Sequence, residues 1–327
     1  MNPSRMRLVA ADIGGTSSRF AIASITGEPG SDQVLTRRYP SAQWPDFNAL
    51  YRHFLSDNAL SDVQIDLLVL ALPGVIHGKH ARLTNLPWSL DSNQICSDFP
   101  VSRVVFINDF QAAANGLSVL TEDDALTLNH AARQPQRPRV VTGAGTGLGM
   151  AYMVGDGLPM VTEGGHVDFA PLDDEQKRLL DYLNERYPDH VSYERILSGP
   201  GMIELYRFIA GDEAGSVPTA AEIGDRAKIG ADDVSSRTLA LFTRILAAFA
   251  GNLALLFQPF GGLYIAGGIA PKMQEWLKTG EFMEYYSAKG RMSHLVSCIP
   301  VILVLNEDLG LQGALAHGKT ILTSNGK

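Results

Sequence analysis

The sequence predicts an α/β protein of two domains, and three observations carry that expectation. From residue 65 onward, apolar runs of strand length alternate with stretches of helical spacing. A strand, a glycine-rich turn and a second strand occur twice, at residues 7–24 and again from residue 139. The chain has 327 residues, more than one hydrophobic core usually fills.

The composition narrows the function classes. A net charge of -8 gives no basic face for nucleic acid. The two cysteines, Cys96 and Cys298, form neither a metal-ligand spacing nor a disulfide framework, which points to a reducing cytoplasm. The first apolar run is broken too early, by Asp12 and the glycines after it, to read as a signal peptide. No stretch is read as approaching the length of a membrane span.

Along the first half, residues 7–24 read as strand, tight turn, strand. Gly14 and Gly15 suit the turn and expose backbone N–H groups to which a phosphate can approach. Asp12, just before the turn, is placed to hold a hydrated Mg²⁺; taken alone, the segment is equally a plain hairpin. Residues 34–39 form a third strand. Helical spacing over 46–56 puts Phe47, Leu50, Tyr51 and Phe54 on one face. A buried strand over 65–72 ends at Pro73-Gly74, a turn signal. Asn85 lies in the loop that follows, where it can face a ligand or serve as an ordinary turn residue. The strand at 102–107 runs into Asn108-Asp109 and then a helix. A carboxylate at a strand end facing a helix start sits where open α/β sheets place ligand chemistry, although this pair alone reads as helix capping.

Residues 121–137 are polar and read as a surface connection near a domain boundary. A strand at 139–142 meets a second glycine turn, Gly143, Ala144, Gly145, Thr146, Gly147 and on to Gly149. It lacks the Gly-Lys-Ser/Thr ending of a P-loop, and strand-like residues follow it, unlike a dinucleotide fingerprint. Glu163 and His166, three apart across two glycines, can turn toward one polar ligand; a Zn²⁺ site lacks further ligands at metal spacing. Glu194 alone reads as an exposed first-turn helix residue. Helices are expected over 174–186, 219–229 and 231–257. A strand then closes on Gly267-Gly268, where an adenine ring can lie against backbone, and Pro271 opens a helix. A last strand at 301–305 and a last helix at 306–320 follow, with close packing expected at Gly310 and Gly313.

Taken together, residues 12–16, 107–110, 143–149, 163–169, 194–201 and 265–269 resemble the bacterial glucokinase family, typified by the enterobacterial enzyme, in the same order and along nearly the whole chain. The resemblance implies an actin-like, hexokinase-type (ribonuclease H-like) ATPase fold. It places the smaller domain at 1–119 plus 304–327, the larger at 120–303, and the active site in the cleft where they meet. It implies transfer of phosphate from ATP, with Mg²⁺, to the 6-hydroxyl of glucose, and a homodimer without nucleic-acid or membrane partners. Asp109 matches the family's general base. Asn108, Glu163, His166 and Glu194 match its sugar ligands, with Asn85 placed beside them. Gly14, Gly15 and Thr16, and the turn from Gly143 to Gly147, match its phosphate loops, and Gly267 and Gly268 its adenosine contact. The family usually has Asn after Gly-Gly-Thr; Ser17 stands there in this chain, and no contact is assigned to it.

The resemblance leaves three rivals. One is a kinase for mannose, glucosamine or N-acetylmannosamine. The second is a sugar-sensing regulator, which would need a DNA-binding helix-turn-helix for which the sequence before residue 14 leaves no room. The third is an actin-like filament protein, which has no need of Glu163, His166 and Glu194. The zinc-binding cysteine cluster of the related repressor–kinase group is absent.

Overall fold

Two sheets of matching topology organise the chain. The structure, a computed structural model, describes residues 6–25, 33–211 and 215–324. It divides into one unit of Met1–Leu120 with Asp308–Lys327 and a second of Thr121–Glu307.

In the first unit, β1 (Met6–Ile13), β2 (Ser17–Ile25) and β3 (Gln33–Pro40) form an antiparallel meander. After helix α1 (Phe47–Asp57), β4 (Leu67–Leu72) returns parallel to β1. Asp46 caps α1 by accepting from Ala49 N at 2.7 Å. The four apolar residues expected on one face of α1 are all buried, and Phe54 stacks on Phe20 of β2 at 4.4 Å. Each such side chain contributes about 1.5–3 kcal/mol by leaving water. Three short strands, β5 (Gly74–His77), β6 (His80–Leu83) and β7 (Ser89–Asp91), make a separate small sheet that leads into α2 (Ser92–Asp98). Then β8 (Val104–Asn108) joins parallel to β4 and runs directly into α3 (Asp109–Gly116). The main sheet therefore has the order β3-β2-β1-β4-β8.

The second unit repeats this order. Ahead of the repeat comes β9 (Ala125–Thr127). The strands β10 (Pro138–Ala144), β11 (Leu148–Val154) and β12 (Met160–Thr162) form the meander. Four helices follow: α4 (Asp174–Asn184), α5 (Gly199–Ala210), α6 (Ala220–Lys228) and α7 (Asp233–Phe257). Strand β13 (Gly262–Ala266) pairs parallel to β10. Short helices α8 (Gln274–Leu277), α9 (Gly280–Ser287) and α10 (Ser293–Ser297) precede β14 (Val301–Val304), which is parallel to β13. The order is β12-β11-β10-β13-β14-β9. The last helix, α11 (Leu309–Ser324), belongs to the first unit. There, a Cβ on Gly313 would come within 1.7 Å of Ala112 O, so α11 and α3 pack backbone against backbone at the glycine the sequence marks.

Three expectations change. The connection at 121–137 contains β9, an edge strand antiparallel to β14 and too short to show a period, with Asn129 bonded to both Ile299 O and Val301 N. The return to the first unit falls after Glu307, because Val304 ends an interior strand of the second sheet and Asn306 bonds Asp124 there at 2.8 Å. One stretch does reach membrane-span length: α7 has 25 residues and a window of mean hydropathy 1.8, but 72% of that window is buried. Its apolarity is explained by its place at the centre of the second unit's core.

Candidate functional site

The first glycine turn is held from behind. Gly14 N donates to Ser17 O at 3.1 Å, and Ser41 fastens the turn through its hydroxyl to Gly14 O at 2.6 Å and its amide to Thr16 O at 3.0 Å. Ser18 O–H completes this buried pair with Ser41 Oγ at 2.9 Å. A Cβ on Gly15 would meet Asn85 Cβ at 3.0 Å, so the Asn85 loop lies directly on the turn. Ser17 Oγ is shielded from solvent and has no hydrogen-bond partner among the described residues.

Asp12 sits on β1 opposite Arg19, whose guanidinium approaches its carboxylate at 3.6 Å; Asp308 and Arg38 extend the group, with Arg19 at 3.3 Å and Arg38 at 3.5 Å from Asp308 Oδ1. Burial pushes the Asp12 carboxyl above its ordinary range, and Arg19 offsets part of that rise. The α11 residue Gly310 lies so close that a Cβ there would stand 3.1 Å from Asp12 Oδ2. Among the described residues, no group of three or more His, Cys, Asp or Glu side chains could cage a metal. A single carboxylate beside a glycine turn does suit Mg²⁺, which keeps several waters and takes few protein ligands.

At the end of β8, Asn108 is the cap of α3: its Oδ1 accepts from Phe110 N at 2.9 Å and Gln111 N at 3.3 Å. The capping role therefore falls on Asn108, leaving its amide N–H₂ for other partners. Asp109 is the first residue of the helix, and its Oδ1 accepts from Phe110 N at 2.9 Å.

In the second unit, the turn from Gly145 to Gly147 closes on itself through Gly145 N to Gly147 O at 2.8 Å, with Thr146 exposed at its tip. Gly143 and Gly267 let the ends of β10 and β13 approach: their Cβ atoms would lie 2.6 Å from Ala266 O and from Ala144 O, and Gly267 has φ +87°. Gly145 and Gly268 face open space. Gly199, at the start of α5, donates to Gly145 O at 2.8 Å.

Glu163, His166 and Glu194 come together here. His166 Nε2 stands 3.8 Å from Glu163 Oε2 and 3.8 Å from Glu194 Oε1, distances beyond hydrogen bonding, so their donors and acceptors can serve a ligand. The two intervening glycines are needed: a Cβ on Gly165 would fall 1.9 Å from Leu148 O, and one on Gly164 2.2 Å from Met150 Sδ. Glu194 lies in a 3₁₀ turn, Tyr193–Arg195, and not in the first turn of an α-helix. Its Oε2 accepts from Leu148 N at 2.8 Å, which ties it to the glycine turn. A cavity of about 350 Å³ adjoins His166 and Glu194 and includes Tyr187, His190 and Arg195 in its lining. Sequence reasoning missed Ser41, Arg19, Asp308 and the Leu148 amide. Each acts through a contact distant in sequence, and none carries a local signal.

A family model described as Glucokinase matches residues 9–320. A glucokinase from a Nostoc species is 35% identical, with 94% of this chain and 97% of that protein covered. A glucokinase from Yersinia enterocolitica is 34% identical, with 94% and 95% covered. The crystal structure of a glucokinase from an Antarctic psychrotroph superposes with a TM-score of 0.80 at 32% identity, covering 96% of this chain and 99% of that one. Fold, motifs and full-length relatives agree: the chain belongs to the glucokinase family and is an enzyme of that class.

Proposed function

We propose that the enzyme transfers the γ-phosphoryl group of ATP to the 6-hydroxyl of glucose, with Asp109 as general base. Asp109 accepts the hydroxyl proton as the oxygen attacks phosphorus, the bond to the β,γ-bridging oxygen breaks, and ADP leaves. A carboxylate suffices because the hydroxyl becomes acidic only as that attack proceeds. The other sugar hydroxyls are held by Asn85, Asn108, Glu163, His166 and Glu194. Amides of the two glycine turns, at residues 14–16 and 143–147, receive the phosphates, and Gly267-Gly268 lies against the adenosine. When bound, Mg²⁺ neutralises charge on the β- and γ-phosphates. Asp12 would hold it through water.

The observation that carries this reading is the bond from Leu148 N to Glu194 Oε2 at 2.8 Å, which couples a sugar ligand to the phosphate turn. Binding geometry for sugar and nucleotide is thereby shared, as phosphoryl transfer requires. We also place the enzyme in the cytoplasm, on its two free cysteines, and assign it a homodimer, which light scattering tests directly. The decisive experiment is coupled ADP release across a hexose panel. Glucose is expected to give the highest kcat/KM. A higher value for mannose, glucosamine or N-acetylmannosamine overturns the glucose assignment, and absence of hexose-dependent ADP release overturns the kinase reading.

A further inference from the structure

Lys289 follows α9 and is half-buried, yet its ammonium meets no carboxylate among the bonds described. Its Nζ donates to Ala248 O at 3.0 Å and to Asn252 Oδ1 at 2.8 Å, both on α7. Asn252 Nδ2 in turn donates to the Tyr193 hydroxyl at 3.0 Å. Tyr193 is 1% exposed, with its ring edge-on to Phe169 at 5.6 Å and tilted against Phe249 of α7 at 4.8 Å. Its amide donates to Val167 O at 3.1 Å.

Tyr193 is thus the joint of both loops that carry the sugar ligands. It immediately precedes Glu194, and it is bonded to the segment that follows His166. The sequence device that brings Lys289 in is Gly251, inside α7: a Cβ there would lie 2.6 Å from Lys289 Cε and 2.2 Å from Tyr286 O. Partial burial pushes the Lys289 ammonium below its ordinary range. A charged donor strengthens the hydrogen bonds beyond it and fixes their direction.

We propose that Lys289, through Asn252 and Tyr193, is a positioning residue that holds Glu194 and His166 in the geometry that binds glucose. The proposal rests on the reading of those two side chains as sugar ligands. It assigns the enzyme a second row of specificity determinants on α7 and after α9, remote from every motif.

The test is steady-state kinetics on the full chain with K289M, Y193F, E194Q and the double variant K289M/E194Q. K289M and Y193F are each expected to raise the glucose KM roughly fivefold to tenfold, a size usual for coupled neighbours in one network. The KM for ATP and kcat should stay within about twofold, since neither variant touches the nucleotide groups. In the E194Q background, K289M should add clearly less than it does alone, which a merely structural role would not produce. If K289M does not fold, Y193F carries the test, because it keeps the ring packing and removes only the hydroxyl. Unchanged glucose KM in K289M and Y193F, with E194Q impaired, overturns the positioning role and leaves the sugar-ligand reading standing. An unimpaired E194Q overturns that reading and the proposal with it.

Discussion

The two units share one sheet order, an antiparallel meander followed by two parallel strands, and each places a glycine turn between the first two strands. What surrounds the turn differs. In the first unit, Ser41 and Asn85 brace it, and a cluster of opposite charges, Asp12, Arg19, Arg38 and Asp308, stands beside it. In the second, bare backbone closes on backbone at Gly143 and Gly267, and the only carboxylate bonded to the turn region is Glu194 among the described residues. On the proposed reading, the same scaffold supports two chemistries: charge handling in the first unit, and close backbone approach with polyol recognition in the second. A duplicated topology fixes where functional groups can sit, and the residues at the strand ends decide what they do.

The sharpest way to break that division is Asp109→Asn. We expect kcat to fall by roughly 10²–10⁴-fold, the scale of a general base, with glucose affinity much less affected because Asn still hydrogen-bonds. Activity within a few-fold of wild type removes the base from the first unit. Next in size are His166→Ala and Glu194→Ala. Each should weaken glucose binding by about 1–3 kcal/mol, the consequence of leaving polar partners unpaired. Isothermal titration reads the loss, and a rise in the KM for ATP with glucose affinity intact would reverse the assignment of the second unit. Glu194→Ala also frees the Leu148 amide, so the larger of the two effects is expected there.

A pair of glycine variants separates packing from ligand contact in the second turn. Gly143→Ala puts a methyl 2.6 Å from Ala266 O and 2.9 Å from Gly267 N, both backbone, and should lower stability by about 1–3 kcal/mol, as overpacking does. Gly145→Ala meets nothing within 4 Å, so its melting temperature should hold while the KM for ATP rises. If Gly145→Ala leaves the KM for ATP unchanged, phosphate does not approach the turn at that position.

Much of this was legible in the sequence, for physical reasons. Long strands buried on both sides, such as Leu67–Leu72, announce themselves as unbroken apolar runs, and α1 does so through its spacing. Several motif glycines, Gly143, Gly164, Gly165 and Gly267 among them, were readable because close approach of neighbouring atoms excludes a side chain there. The convergence of Glu163 and His166 with Glu194 was readable only through the family resemblance, since 28 residues separate His166 from Glu194. The small sheet of β5, β6 and β7 was not legible. Its strands of three and four residues are shorter than any pattern window, and Pro73-Gly74 reads as a turn where Gly74, at φ +137°, in fact opens a strand. The joint at Tyr193 was also hidden. Its partners lie on α7 and after α9, and hydrogen bonds that link distant segments leave no periodic trace.

The smallest expected effect on folding probes the first unit's charge cluster. The Asp12 carboxyl titrates above its ordinary value of 3.8 because burial disfavours its charge more than Arg19 restores it. The folded state then binds more protons than the unfolded state between 3.8 and that raised value. Stability contributed by this group therefore falls as pH rises through the window and stays lower at neutral pH. Asp12→Asn removes the partly buried charge while keeping shape and hydrogen bonding. It should raise the melting temperature slightly at neutral pH, and the gain should fade as pH drops through 3.8 and vanish well below it, where Asp12 is protonated in both states. The same substitution should lower kcat, because the carboxylate's proposed work is to orient hydrated Mg²⁺. A gain in stability with a loss of activity is the signature of a charge kept for function. A lower melting temperature at neutral pH would instead make the pairing with Arg19 the dominant contribution, and the group would then be a structural ion pair.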